Sequence, residues 1–455
     1  MPARWRSWRR RSLSGEPGAF IAVCQRSAGA YKRSSSAVLR CSGGYRTRRT
    51  GTLRGAPELS LRVLHTADWH LGDRLGGVDR LPDQLARLRE LVDYAEERRV
   101  DALLVCGDVL EERRPERLAA IVSQLGELLA PSVERGMQCV FLAGNHDSAH
   151  TFELLSAVQQ LLGERHASRV RFVREPALVP LTVDGEVAAT LVALPYPSVA
   201  AYSLPADLGS VERKRVALSA AVTERWETLS EQAGRERPGL PLLMAGHFLL
   251  GHVAATTGRR EVTDAEDVHV AEAGLDRFAY VALGHVHQPV VLAEHVRYSG
   301  ALDRVDFGEA DEPRHVVLAE IGEAGGLALE ELPLDATPMR RIEIGALDEI
   351  AEQAQALDEP ERSIVKLELR LDRADAASLW LAEARAAFPR RYEPIDLVRL
   401  DDPDPPLLTG EIEQAGTTET VRAFVADQLA EEDPDRTTLL AMVEQLLDEE
   451  GLLGR

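Results

Sequence analysis

From residue 61 onward, short apolar runs alternate with stretches whose apolar residues recur every three or four positions. Arg62–Thr66, Ala102–Cys106 and Cys139–Ala143 have the pattern of buried strands. Between them, Leu81–Arg99 places Leu85, Leu88, Val92 and Ala95 on one helical face, and Pro115–Arg135 opens on a proline, which the first turn of a helix tolerates. Thr151–Leu162 reads as a third helix. The order βαβαβα predicts a layered α/β unit with parallel strands.

The period changes between Arg169 and about Pro333. Strands are predicted at Val170–Val173, Ala177–Val183, Val187–Leu194, Leu240–Ala245, Tyr280–Leu283, Val290–Leu292, Val296–Ser299, His315–Ile321 and Leu327–Leu332. One long helix, Val211–Gln232, interrupts them, so a second sheet packed on the first is expected. Pro338 opens a further unit in which Met339–Ile344, Leu347–Ala356, Ser363–Leu371, Ala374–Phe388 and Tyr392–Leu400 read β-α-β-α-β. Asp401–Pro406 has linker composition. Two amphipathic helices, Thr418–Ala430 and Thr437–Glu449, follow. Their apolar stripes are too small to form a core alone, so they need a partner surface. The expected divisions are a basic extension over 1–60, a main unit over 61–333, a small unit over 338–402 and a helical segment over 411–455.

Composition narrows the class. Of 455 residues, 45% are hydrophobic and 28% charged, which excludes a disordered or fibrous chain. The longest stretch without a charged residue, Val187–Ala206, holds Pro195, Pro197 and Pro205 and so is not a membrane span. Four scattered cysteines (Cys24, Cys41, Cys106, Cys139) exclude a disulfide scaffold and fit a reducing, cytoplasmic setting. Net charge is −21, unlike a stand-alone nucleic-acid binder.

That charge is unevenly spread. Residues 1–60 hold 13 basic and two acidic residues, which leaves 40 basic against 72 acidic from 61 onward. The basic extension has no sustained apolar period and does not fold alone. It matches an organellar targeting peptide in composition, or a twin-arginine signal with too short an apolar run, or translated sequence upstream of the true start. Only three lysines (Lys32, Lys214, Lys366) stand among the 53 basic residues, which suggests GC-rich coding and favours the last of these.

The chemistry lies at the C-terminal ends of the expected strands, where open α/β sheets bind ligands. Asp68-Trp-His70, Gly107-Asp108, Gly144-Asn-His-Asp147, Gly246-His247 and Gly284-His285-Val-His287 each follow one. If extended, an alternating Asp-x-His or His-x-His points both side chains to one side, able to bind one ion together. The glycines allow sharp turns. Asp68, His70, Asp108, Asn145, His247, His285 and His287 supply oxygen and nitrogen donors for two divalent cations bridged by one carboxylate, and no soft sulfur. Manganese, iron or zinc suit such a set.

The order of these elements resembles that of the calcineurin-like metallophosphoesterases over about 61–333, which implies a two-sheet α/β sandwich with helices outside. Within that superfamily the chain is similar to the SbcD-type nucleases. The motif Leu64-His-Thr-Ala-Asp-Trp-His-Leu-Gly72, the segment Leu194-Pro-Tyr196, and Tyr298-Ser-Gly300 with Asp306-Phe-Gly-Glu309 carry that likeness. The small unit over 338–402 fits the family's cap, and the terminal helices its ATPase-gripping segment.

The resemblance implies that Asp68, His70, Asp108 and His287 hold one ion and Asp108, Asn145, His247 and His285 the other, with manganese the usual metal. It implies His146 as the acid that serves the leaving oxygen, and Glu111, where relatives carry Asp or His, as the carboxylate that orients it. Arg74 and Arg80 are candidates for phosphate contact. Implied partners are DNA ends and hairpins, an SbcC-type coiled-coil ATPase, and a second copy of the chain through Leu81–Arg99. The activity would be exonuclease and hairpin endonuclease action in DNA repair and recombination. A phosphoesterase with a non-DNA substrate is the alternative. A non-catalytic scaffold is disfavoured because no ligand position is missing.

Overall fold

The computed structural model describes residues 60–161, 168–205, 207–251, 268–371 and 377–399. The extension before residue 60, the linker and the two expected C-terminal helices lie outside them.

In chain order the elements begin β1 (Leu61–Thr66), the short hairpin β2 (Arg74–Leu75) and β3 (Val78–Asp79), α1 (Leu81–Glu97), β4 (Ala102–Val105), α2 (Pro115–Glu134), β5 (Gln138–Leu142), α3 (Ala149–Leu161) and β6 (Val170–Val173). Next come β7 (Ala177–Val183), β8 (Glu186–Leu194), α4 (Val211–Glu236), β9 (Leu242–His247), β10 (Leu249–Leu250), β11 (His269–Val270) and β12 (Tyr280–Gly284). The chain continues through β13 (Val290–Ala293), β14 (Val296–Tyr298), β15 (Arg314–Ile321) and β16 (Leu327–Leu334). The small unit holds β17 (Met339–Ile344), α5 (Glu349–Gln355), β18 (Ile364–Leu371), α6 (Ala377–Ala387) and β19 (Asp396–Arg399).

Two six-stranded sheets face each other, ordered β16-β15-β1-β4-β5-β6 and β13-β14-β12-β9-β8-β7. In the first, β1, β4, β5 and β6 run parallel, and in the second β8, β9, β12 and β14 do. Strand alternation explains the layers. In β4, Ala102 and Leu104 point into the core between the sheets while Leu103 and Val105 point out under α1 and α2. On the far side, Leu218, Val222, Trp226 and Leu229 of α4 cover the second sheet. The result is an α/β/β/α sandwich, as the period changes predict.

The differences from expectation are local. The strand expected at Leu240–Ala245 runs two residues later, so His247 is its last member and pairs in register beside Gly284. The helix from Val211 extends to Glu236, and the hairpin of β2 and β3 has no apolar alternation to announce it. The apolar stripe of α1 is spent in the core, where Leu85, Leu88, Leu91, Val92 and Ala95 are all buried. Its exposed residues are Pro82, Arg89, Asp93, Glu96 and Glu97. The surface that α1 leaves for a second copy is therefore polar and charged. No described helix is long and apolar enough to cross a membrane.

The small sheet β17-β18-β19 is all parallel, with its own buried cluster around Ile344, Ile350, Leu367, Leu369 and Phe388. It meets the main unit through a second patch, in which Phe307, Met339 and Ile364 pack with Leu75, Val78, Ala310 and Tyr392. Asp83 pairs with Arg390 beside it, and the Glu393 N–H donates to Gly76 O at 2.9 Å.

Among the polar links that cross the sandwich core, one is fully buried at its centre. His65 of β1 is fully buried and bonds to Leu283 O (3.1 Å) and the Tyr280 hydroxyl (2.9 Å), both on β12. A carbonyl only accepts, so His65 Nε2 carries the proton and Nδ1 accepts from the tyrosine. Burial pushes the His65 pKa down to about 3. The folded state therefore refuses a proton that the unfolded chain accepts below about 6.5. The stability this neutral imidazole holds is complete above that value and is lost as pH falls toward 3. His65→Gln removes the titration. Between pH 6.5 and 4.5 the wild type should lose more stability than the variant, by up to about 1.4 kcal/mol per pH unit. Urea unfolding at both pH values checks this, and equal slopes would contradict it.

Candidate metal centre

The parallel strands of both sheets end on one edge, and the loops leaving β1, β4, β5, β9 and β12 carry the candidate residues. The structure brings all seven of them together. His70 Nε2 faces His287 Nε2 at 3.3 Å and Asp108 Oδ2 at 3.8 Å. His247 Nε2 lies 3.3 Å from the same Asp108 oxygen and 3.0 Å from Asn145 Oδ1, which in turn is 3.1 Å from His285 Nδ1. Asp68, His70 and His287 form one cluster of converging donor atoms, and Asp68, Asp108 and His247 another. Asp108 touches both groups. A third cluster joins His70, Glu111 and His146.

The histidines are fixed from behind. His70 Nδ1 bonds Glu111 Oε2 (3.1 Å), His287 Nδ1 bonds Glu309 Oε1 (3.1 Å), and His247 Nδ1 bonds Cys106 O (2.7 Å). Each rear partner is an acceptor, so each Nδ1 carries a proton and each Nε2, in the neutral ring, turns a lone pair inward. With the rings neutral, lone pairs from His70, His287, His247 and Asn145 converge on the Asp108 carboxylate. Such a buried arrangement is repulsive unless a cation sits among the atoms. The donor set, carboxylate and imidazole without thiolate, fits divalent metal.

Electrostatics shows the same demand for positive charge. Full burial pulls His247 down, yet the Asp108 and Asp68 carboxylates win and hold its pKa at about 9. Burial pushes Asp108 up, but His247, His70 and His146 together hold it far below the usual carboxylate range. His146 is raised to about 8, chiefly by its bond to Glu111 Oε2 at 2.9 Å. Glu111 is partly buried, which opposes ionisation, but its bonds to His146 and His70 hold it at about 2. The longer Glu111 side chain thus spans both histidines. Burial beside Asp108 raises Asp147 to about 6. Its carboxylate accepts from the Val109, Leu110 and Gly144 N–H groups and braces two motif loops, as expected of a turn-supporting residue.

The backbone reason for the motifs is different from strand parity. Asp68, His70, Asp108 and His285 all have φ between 44° and 88°, so the ligands themselves sit in the left-handed region. Extended alternation therefore does not orient them. His285 and His287 turn to different partners, Asn145 and His70, and do not share one group of atoms. Gly144 and Gly284 matter for closeness. A Cβ on Gly144 would overlap Asp108 Oδ1, and one on Gly284 would overlap Cys106 O.

Arg80 does not face the site. Its guanidinium is buried, donates to Arg304 O and pairs with Asp303 and Asp83, so it is unavailable to a phosphate. Arg80 is the residue before α1, and its side chain bridges that helix start to Asp303 and Arg304. Arg74 is accessible on β2. Sequence reasoning assigned no role to Glu309 behind His287, nor to Tyr196, whose ring lies 5.8 Å from His285 and 6.1 Å from His247. The signal was present only as the unexplained segments Asp306–Glu309 and Leu194–Tyr196.

This sandwich, with its donor loops on one edge, defines a calcineurin-like phosphoesterase, and the family model of that description matches residues 61–289. The SbcD subunit of the SbcCD nuclease from Rhodobacter capsulatus is 31% identical over 363 residues, covering 74% of this chain and 88% of the relative. The SbcD subunits from Escherichia coli K12 and Bacillus subtilis are each 28% identical, covering 65% and 70% of this chain and 74% and 81% of their own lengths. The chain belongs to this SbcD family of nuclease subunits and is a metal-dependent nuclease.

Gly144→Ala tests the close approach. It should weaken Mn²⁺ binding by about tenfold or more, because the added methyl displaces Asp108. Gly126→Ala, in α2 with open space around it, should leave binding unchanged and raise stability by about 0.5–1 kcal/mol. Calorimetric titration of both variants checks this.

Proposed function

We propose that this chain hydrolyses phosphodiester bonds of DNA at two divalent cations, with manganese as the working metal. The supporting observation is the inward convergence of imidazole and carboxamide donor atoms around Asp108, each Nδ1 being held by an acceptor behind it. Asp68, His70, Asp108 and His287 would hold one ion, and Asp108, Asn145, His247 and His285 the other. When bound, such a pair activates water and neutralises charge on the phosphodiester.

The chain's own groups do the rest. His146 sits beside the donors without joining them, about half exposed, with Nδ1 on Glu111. Its Nε2 is then free to give a proton to the leaving sugar oxygen, and Glu111 stabilises the protonated ring. Glu111 also fixes His70, so one carboxylate ties the acid to an ion ligand. Arg74, on the hairpin that follows the first motif, would meet a substrate phosphate.

The wider assembly belongs to the same proposal. The relatives' names place them in an SbcCD complex, and an SbcC-type ATPase would supply the DNA affinity that a chain of net charge −21 lacks. Residues 338–402 would act as a cap and 411–455 as the ATPase-docking segment, in a homodimeric, cytoplasmic complex acting on DNA ends and hairpins.

Two experiments test this. On a labelled hairpin duplex with Mn²⁺ and the ATPase partner, His146→Ala should keep both ions yet cut about 10²-fold or more slowly, whereas Asp108→Asn should lose metal and cleavage together. Normal cutting by the His146 variant rejects the acid assignment. Deleting 411–455 should abolish co-purification with the ATPase while hydrolysis of a small aryl phosphodiester persists. Co-purification of the truncated chain rejects the docking assignment.

A further inference from the structure

The 3-10 turn Phe307–Glu309 touches two separate parts of the molecule with adjacent side chains. Glu309 is buried and holds His287: Oε1 accepts from His287 Nδ1, while Oε2 accepts from Val305 N (2.8 Å) and pairs with Arg314. Arg314 is itself buried and donates to His287 O at 2.7 Å. Side chain and backbone of His287 are thus both fixed by this pair. Phe307 faces the other way. Its ring meets Tyr392 edge-on at 5.9 Å, carries the Arg341 guanidinium at 5.8 Å, and packs with Met339 and Ile364 of the small sheet unit.

We propose that Glu309 is a positioning residue for His287, and that Phe307 makes its placement depend on the seat of the small sheet unit. The inference rests on the ligand assignment proposed above. The physical basis is reach and rigidity. A carboxylate behind a histidine sets which ring nitrogen carries the proton and where the other points. Glu309 can do this only while its turn stays in place. That turn is short, and its apolar anchor is Phe307, only 6% exposed, lodged in a patch where Met339, Ile364 and Tyr392 of the small unit meet Leu75, Val78 and Ala310 of the main unit. Residues just before the turn tie down the strand that leads into the same unit. Asp303 accepts from Thr337 N (2.8 Å), and Arg304 donates to Thr337 O (2.8 Å) at the start of the small unit. Displacing that unit would pull on the turn and loosen His287, and so the ion that His287 shares with Asp68 and His70. His247 and Asn145 are held differently, by Cys106 O, Asp108 and His285, all within the main unit. One ion site would therefore sense the small unit and the other would not.

The test counts Mn²⁺ on the full chain by electron paramagnetic resonance and calorimetric titration, with thermal melting as a check on folding. Wild type should bind two ions as a spin-coupled pair. Glu309→Asp keeps a charge for Arg314 but shortens the reach by one methylene. It should weaken one ion about 10–100-fold and leave an uncoupled single-ion signal. Phe307→Leu, which keeps the patch apolar but removes the ring, should weaken the same ion about tenfold. Ile350→Ala, a cavity inside the small unit away from the turn, should lower the melting temperature and leave both ions bound. If Glu309→Asp binds two ions with wild-type affinity, the positioning role is wrong. If Phe307→Leu does, the dependence on the small unit is wrong, and if Ile350→Ala loses an ion as readily, Phe307 is not the link through which that unit acts. A His287→Ala variant that keeps both ions would show instead that the ligand assignment fails, and this inference with it.

Discussion

The site depends on where three imidazole protons are placed. Glu111, Glu309 and Cys106 O each accept from Nδ1 of one histidine, and that choice aims Nε2 of His70, His287 and His247 inward at Asp108, as a lone pair when the ring is neutral. In water the choice would be nearly free. In a buried site it costs several kcal/mol to leave like dipoles opposed without a counter-charge. The fold sustains the arrangement because each rear acceptor is itself immobile. Cys106 O lies just past β4, Glu111 bonds two rings, and Glu309 is clamped by Arg314.

The sandwich exists to bring two such sets face to face. Asp68, His70, Asp108 and Asn145 leave the first sheet, and His247, His285 and His287 come from the second. The sheets must therefore hold their mutual register closely. The apolar core between them is non-directional, and the His65 bonds to Tyr280 and Leu283 add a directional constraint three residues before Asp68. The close glycines serve the same end, since Gly284 passes against Cys106 O, which in turn holds His247. Left-handed backbone at four site residues is the strain that this tight convergence stores.

Much of this was legible in the sequence. The changes of hydrophobic period marked the two sheets and the small unit, and the strand-end motifs picked out the residues that converge. What could not be read was orientation. Parity along an extended strand suggested that His285 and His287 act together, but a positive φ at His285 sends them apart. Arg80 looked like a loop arginine available to phosphate, and only the three-dimensional course of the chain shows it turned in toward Asp303. Glu309 carried no local signal for its contact with His287, because the two are 22 residues apart and meet only through the return of the chain at Gly300.

The most direct test of the account is anomalous scattering at the manganese edge from crystals grown with Mn²⁺. Two peaks about 3.5–4 Å apart are predicted. Asp108 should lie between them, with His70 and His287 Nε2 on one and His247 Nε2 and His285 on the other. A single peak, or two peaks that leave His70 Nε2 and His287 Nε2 facing each other with no ion between, would contradict it.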